Sequence, residues 1–378
     1  MKILIGADLV PTDTNVELFT AGAAETLVGE KLLGILQAAD YRIFNLEVPL
    51  DDAPTPIEKS GPALIAPTET VAGYRALGVD LLTLANNHIM DQGNYGLEST
   101  CRTLERAEIQ TVGCGKNLAE AAEPFILELD GKKLGIYACA ENEFSIAGEN
   151  TPGANPFDPL ESPDHVAALK AQCDYVIVLY HGGKEHYRYP SPMLQKTCRK
   201  FVDKGADLVL CQHSHCIGSR EEYAGGTIVY GQGNFLFDHS EREHWQTGLL
   251  VALGDHFEIS YIPLRKTGNT VRLAEGEDAD TILREFLARS EEIKDPEALK
   301  KNYVAFARSM GQNYLTTLGG RETKLFRIVN KLLGGKLRTR RNKKRYVKRN
   351  TLAIENYLRC EAHRELLITF LQNQKKEG

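Results

Sequence analysis

Short apolar runs alternate with amphipathic stretches from residue 1 to about residue 265. Residues 2–6 (KILIG), 41–47 (YRIFNLE), 81–86 (LLTLAN), 175–181 (YVIVLYH) and 206–215 (ADLVLCQHSH) are apolar runs of strand length with polar residues at their C-terminal ends. Such runs predict strands covered on both faces. Between them, GEKLLGILQAAD (29–40) and YGLESTCRTLERA (95–107) place apolar residues every three or four positions, as do Leu194, Cys198, Phe201 and Val202. That spacing predicts helices with one buried face. The runs 125–129 and 134–139 flank Asp130-Gly131, a hairpin signal. Toward residue 265 the alternation gives way to β-rich segments that predict an antiparallel meander.

The pattern changes near residue 276. Residues 278–315 read as helices interrupted at Asp295-Pro296, and RETKLFRIVNKLL (321–333) reads as another. Ile354, Leu358, Ala362, Leu366 and Phe370 form a four-residue stripe on a last helix. The expected architecture is α/β: layered mixed sheets over residues 1–265, followed by a helical appendage over 276–378.

Composition narrows the class. Of 378 residues, 42% are hydrophobic and 25% charged, as in an ordinary globular chain. No apolar run approaches the ~18 residues of a membrane span, and the N-terminus lacks the apolar core of a signal peptide. The eight cysteines are scattered without a CxxC pair, which predicts free thiols. The net charge of −6 is uneven: residues 331–349 hold ten Lys/Arg and no acid, leaving the remainder at −16. A block containing Arg338, Arg340, Arg341, Lys343, Lys344 and Arg345 suits an anionic polymer, an acidic membrane surface or nucleic acid, and equally a solvated helix face.

The candidate chemistry sits at strand ends, where α/β proteins place ligand sites. Asp8 follows the first run, Glu47 the second, and Asn87-His88 with Asp91 the third; His181 ends the fourth, and His213 and His215 end the fifth. A single His or Asp after a strand is ordinarily a cap or a turn residue. Their joint occurrence points instead to a metal. Imidazole suits Zn, Mn and Fe, carboxylates suit Mn and Fe and bridge two ions, and two such ions activate water and clamp a phosphoryl oxygen.

The order Asp, Asn-His, His, His-x-His resembles the calcineurin-like metallophosphoesterase superfamily. More narrowly, NLEVPL (45–50), KSGP (59–62), LANNHIMDQGNYGLEST (84–100), HGGKE (181–185), GADLVLCQHSH (205–215) and YGQGNFLFD (230–238) resemble the CapA-like capsule-synthesis and poly-gamma-glutamate biosynthesis proteins. The resemblance implies a layered αββα metallophosphoesterase-like sandwich and one or two divalent ions (Mn, Fe or Zn). It implies Asp8 and His215 on one ion, Glu47 bridging, and Asn87, His181 and His213 on the other. His88 would be the general acid or the transition-state stabiliser, oriented by Asp91, with Asn45 and Glu185 supporting the ligands. Two departures stand out: Val10 replaces the usual second His, and Asn-Leu-Glu replaces a Gly-Asp motif, thinning the first ion's ligands.

The expected function is metal-dependent hydrolysis of a polymer precursor or phosphorylated small molecule in capsule, exopolysaccharide or poly-gamma-glutamate biosynthesis. The alternatives are a non-catalytic metal-binding accessory subunit working with other polymer-synthesis proteins and, more weakly, a nuclease or nucleotide phosphatase. Neither GxxxxGK[ST] nor GxSxG occurs, and no aromatic-interleaved nucleic-acid surface is visible. The expected location is the cytoplasm, at most peripheral to the inner membrane surface.

Overall fold

A computed structural model describes residues 1–237, 241–320 and 322–374. Strands β1 (Ile3–Asp8), β2 (Tyr41–Asn45), β3 (Leu81–Thr83), β4 (Gln110–Val112), β5 (Cys114–Gly115), β6 (Phe125–Leu129) and β7 (Lys132–Ala140) occupy the first part of the chain. They are followed by β8 (Gly153–Ala154), β9 (Tyr175–His181), β10 (Leu208–Gln212), β11 (Arg220–Tyr223), β12 (Gly226–Val229), β13 (Thr247–Leu253), β14 (Ile259–Thr267) and β15 (Thr270–Leu273). One sheet runs β15-β14-β13-β1-β2-β3-β4, the other β11-β12-β10-β9-β7-β6, and β5 and β8 make a small ribbon.

Each sheet has a parallel middle: β1 to β4 in the first, and β7, β9, β10 and β12 in the second. Antiparallel strands close both edges of the second sheet and the β15 edge of the first, whose other edge is the parallel β4; β6 and β7, for example, are joined by Asp130 (φ 51°) and Gly131 (φ 71°). Two successive positive φ values are the geometry of a tight hairpin turn, which Asp-Gly accommodates.

Alternation along the strands builds the layers. Ile3, Ile5, Ile43 and Leu81 of one sheet meet Ile136, Ile177, Leu179, Leu208 and Leu210 of the other in a shared core. The intervening Leu4, Phe44 and Leu82 face a second core with Leu27, Leu32, Leu36, Leu97 and Leu104 from helices. On the far side, Tyr137, Val178 and Val209 pack on Val166, Leu169, Cys198 and Phe201 of the helices Glu161–Lys170 and Pro192–Asp203. Successive side chains on a strand point to opposite faces, so doubly apolar strands require cover on both sides. The result is an αββα sandwich. Gly6 is needed where the layers close: a Cβ there would stand 2.2 Å from the Phe44 ring.

The chain divides into two units, Met1–Lys300 and Lys301–Gly378. Helix Gly276–Glu292, grouped by the sequence pattern with the helical region, packs Ile282 and Phe286 into the core between the sheets. The first unit therefore extends past residue 265, because this amphipathic face finds its apolar partner there. The second unit contains helices Lys324–Leu332, Lys336–Arg345, Lys348–Arg359 and Glu361–Gln374. No helix among the described residues is long and apolar enough to cross a membrane.

Candidate metal centre

Parallel strands end on the same side of a sheet, so residues far apart in sequence share one rim. Asp8 closes β1, Glu47 lies two residues beyond β2, and Asn86, Asn87 and His88 follow β3. His181 closes β9, and His213 and His215 follow β10. The last two hold φ of 82° and 53°, a left-handed conformation uncommon outside glycine. Strain of this kind persists where surrounding structure over-determines it and clusters at functional sites.

Two donor clusters result, and they share one carboxylate: Glu47, His181 and His213 form one, and Asp8, Glu47 and His215 the other, all buried. Around His181 Nε2 lie Glu47 Oε1 at 3.2 Å, Asn87 Oδ1 at 3.0 Å and His213 Nδ1 at 3.0 Å. One ring nitrogen carries either one proton or one lone pair, so hydrogen bonding cannot satisfy all three neighbours. A cation accepts lone pairs from all four atoms together. In the other cluster, His215 Nδ1 is 3.2 Å from Asp8 Oδ2 and 2.9 Å from Asn234 Oδ1. Asp8 Oδ2 and Glu47 Oε2 are buried without hydrogen-bond partners. Orphaned carboxylate oxygens beside imidazoles fit a divalent ion.

The charges are arranged accordingly. Burial and the adjacent Asp8 push Glu47 up to about 8. Burial drives His181 down to about 4 and His213 well below its usual value, favouring the neutral ring that a metal ligand requires. Burial opposes charge at Asp8 and His215 too, but the attraction between the two side chains wins, holding Asp8 below its ordinary value and His215 up to about 9.

The supporting residues are tied together. Asn45 donates to Asp8 Oδ1 at 2.7 Å and lies 3.4 Å from His181 Nδ1. His88 Nδ1 lies 2.5 Å from Asp91 Oδ2, which also accepts the Leu64 amide at 2.6 Å. Glu185 is half-buried; burial works against its charge, but His213 and Lys184 hold its carboxylate low.

Sequence reasoning passed over several neighbours. Asn86 clamps the His88 loop, donating to Leu46 O at 2.8 Å and accepting the His88 and Ile89 amides. Lys59, in the quoted KSGP stretch, has a side chain only 3% exposed and donates to Asp91 Oδ1 at 2.5 Å. Asn234 was visible in the YGQGNFLFD stretch, without a role; Asp238 of that stretch lies outside the described residues. Trp245 stacks on His215 at 5.0 Å, a contact that no spacing signals.

The six basic residues lie apart from this centre in sequence, in the second unit. Arg338 and Arg341 both bind Glu322, at 2.6 Å, and Arg345 donates to the Gly319 carbonyl. Arg340, Lys343 and Lys344 are exposed.

An αββα sandwich with histidines, carboxylates and amides gathered at the ends of parallel strands defines a metallophosphoesterase-like protein. Within that class the sequence model of the bacterial capsule synthesis protein family, PGA_cap, matches residues 12–239, and the chain belongs to this family. Asp8 precedes the matched stretch. The chain is 30% identical over 181 residues to the capsule biosynthesis protein CapA of Bacillus anthracis, covering 46% of this chain and 44% of that one. It is 31% identical over 174 residues to the PGA biosynthesis protein CapA of Bacillus subtilis (strain 168), covering 45% and 46%. The chain thus spans about half the length of these curated relatives. Among solved structures, a hypothetical protein from Thermus thermophilus aligns with a TM-score of 0.47 at 16% identity, over 71% of this chain and 100% of that one.

Proposed function

We propose that this protein is a divalent-metal-dependent hydrolase acting on a phosphoester-type bond of a polymer precursor or phosphorylated small molecule in capsule or poly-gamma-glutamate biosynthesis. The observation that carries the reading is the convergence of Glu47, Asn87 and His213 on one His181 nitrogen, in the same loop cluster as the His88–Asp91 pair. The relatives' names supply the biosynthetic context.

In this reading Glu47, Asn87, His181 and His213 would hold one ion, and Asp8, Glu47 and His215 the other. Such ions supply Lewis acidity toward a phosphoryl oxygen. The remaining work belongs to side chains. Asp91 accepts from His88 Nδ1 and orients the ring so that Nε2 faces the substrate; with both ring nitrogens protonated, the Nε2 proton is the one delivered to the leaving oxygen. Lys59 and the Leu64 amide hold Asp91 in place. Asn45 orients Asp8, and Asn86 sets the loop carrying Asn87 and His88.

The test is metal content of chelator-free protein together with hydrolysis of aryl phosphate mono- and diesters in added Mn²⁺. Bound metal with activity abolished by His88→Ala supports the proposal. A second reading, a non-catalytic accessory subunit, is favoured by the thinner Asp8 cluster, where Val10 offers no ligand atom. Bound metal with no turnover of either ester would favour that reading, and absence of metal uptake would defeat both.

A further inference from the structure

Helix Lys324–Leu332 is amphipathic in the reverse sense for a helix in a soluble bundle. Its polar Asn330 is turned inward, only 4% exposed, and its Oδ1 accepts the Arg338 amide at 2.9 Å. Phe326 on the same side lies under the Arg341 guanidinium, 4.6 Å from the ring centroid. The opposite face presents Leu325, Ile328 and Leu332, exposed by 71%, 52% and 80%. Their three- and four-residue spacing makes one stripe along the helix. Large apolar side chains gathered on an outward face mark an interaction surface.

Charge identifies the partner. Lys324, Arg327 and Lys331 recur at three- and four-residue spacing beside the apolar stripe, and all are exposed. Glu322, two residues before the helix, is already held by Arg338 and Arg341. After the turn at Gly334 (φ 58°) and Gly335 (φ 83°), the helix Lys336–Arg345 adds exposed Lys336, Arg340, Lys343 and Lys344. A soluble polyanion would use these charges and leave three apolar side chains in water. An anionic bilayer interface takes both, because headgroup phosphates face the cations while the boundary below them accepts apolar groups.

We propose that helix Lys324–Leu332 lies in the plane of an anionic phospholipid surface. Leu325, Ile328 and Leu332 enter the boundary between headgroups and acyl chains, while Lys324, Arg327 and Lys331 contact lipid phosphates. The inference is independent of the hydrolase reading, since it uses none of the centre's residues.

The experiment is flotation of the full chain with vesicles of phosphatidylcholine, alone or mixed with phosphatidylglycerol. The intact chain is expected to float with the mixed vesicles and to bind pure phosphatidylcholine at least about tenfold more weakly. Two triple variants, L325Q/I328Q/L332Q and K324Q/R327Q/K331Q, should each reduce binding by about tenfold or more while keeping wild-type helical circular dichroism. The affected side chains are solvent-facing, so folding should survive. No binding of the intact chain to mixed vesicles overturns the proposal. Binding that the charge variant abolishes and the leucine variant leaves intact also overturns it, in favour of simple polyanion adhesion. A chain that dimerises through this face, with no vesicle binding, overturns it in favour of a second copy as the partner.

Discussion

The sandwich buries charge, whereas the helical region exposes apolar surface. At the strand ends, two carboxylates and three imidazoles sit in the interior with oxygen atoms left unpartnered. In residues 324–332, leucine and isoleucine face outward while an asparagine is buried. Each arrangement opposes what folding alone favours, since a buried polar atom without a partner and an exposed apolar stripe both cost free energy. Two opposite departures in one chain support proposals of the same kind: each surface would be completed by something other than the polypeptide, a cation in one case and an apolar, anionic layer in the other.

The sharpest way to break this comparison is at Glu47, which belongs to both donor clusters. Glu47→Gln is expected to lower metal content at both sites and reduce hydrolysis by about 10³-fold or more. The metal-free variant should melt no lower than the parent, because its removed carboxylate is one that burial penalises. Metal content equal to the parent's would mean the buried charges serve another purpose.

His88→Ala separates chemistry from binding. It should lower hydrolysis by about 10²–10⁴-fold. Metal content by mass spectrometry should stay at the parental level, as His88 is in neither cluster.

Asp91→Asn should lower hydrolysis by about 10–100-fold through loss of the His88 ring orientation. It also strands the buried Lys59 ammonium, which should cost about 3 kcal/mol in denaturant unfolding. Unchanged stability would show that Lys59 finds water instead.

The pH dependence of the metal-free chain gives a smaller, graded effect. Glu47 is raised from 4.5 to about 8, so its folded form holds a proton the unfolded form has lost. Its contribution is fully present below about 4.5 and is lost as pH rises through 8. His215, raised from 6.5 to about 9, acts in the same direction between those values. His181, lowered to about 4, works oppositely, losing stability as pH falls from 6.5 through 4. Thermal melts of metal-free protein from neutral to alkaline pH should therefore decline, and added Mn²⁺ should flatten the decline.

The smallest effect belongs to the helical region. Leu332→Gln should change stability by no more than about 0.5 kcal/mol, the ordinary range for a surface substitution. Ile177→Ala, between the two sheets, should cost about 2–5 kcal/mol by the same measurement. A comparable loss at Leu332 would show that its face is covered within the protein.

Much of the fold was legible along the chain because its causes are local. Apolar runs of strand length specify strands covered on both faces, and three-four spacing specifies the helices that cover them. Asp130-Gly131 specifies a hairpin turn because those residues tolerate positive φ. The candidate donors Asp8, Glu47, Asn87, His181, His213 and His215 were legible because each sits where an apolar run stops. Tertiary structure alone decided the rest. It brought the strand ends of two sheets onto one rim, placed Lys59 against Asp91 across 32 residues, and set Trp245 on His215. It also tied Arg338 and Arg341 to Glu322 and turned Leu325 and Leu332 outward. Sequence spacing fixes which way a side chain points relative to its own element, whereas what it meets there depends on elements that arrive from elsewhere in the chain.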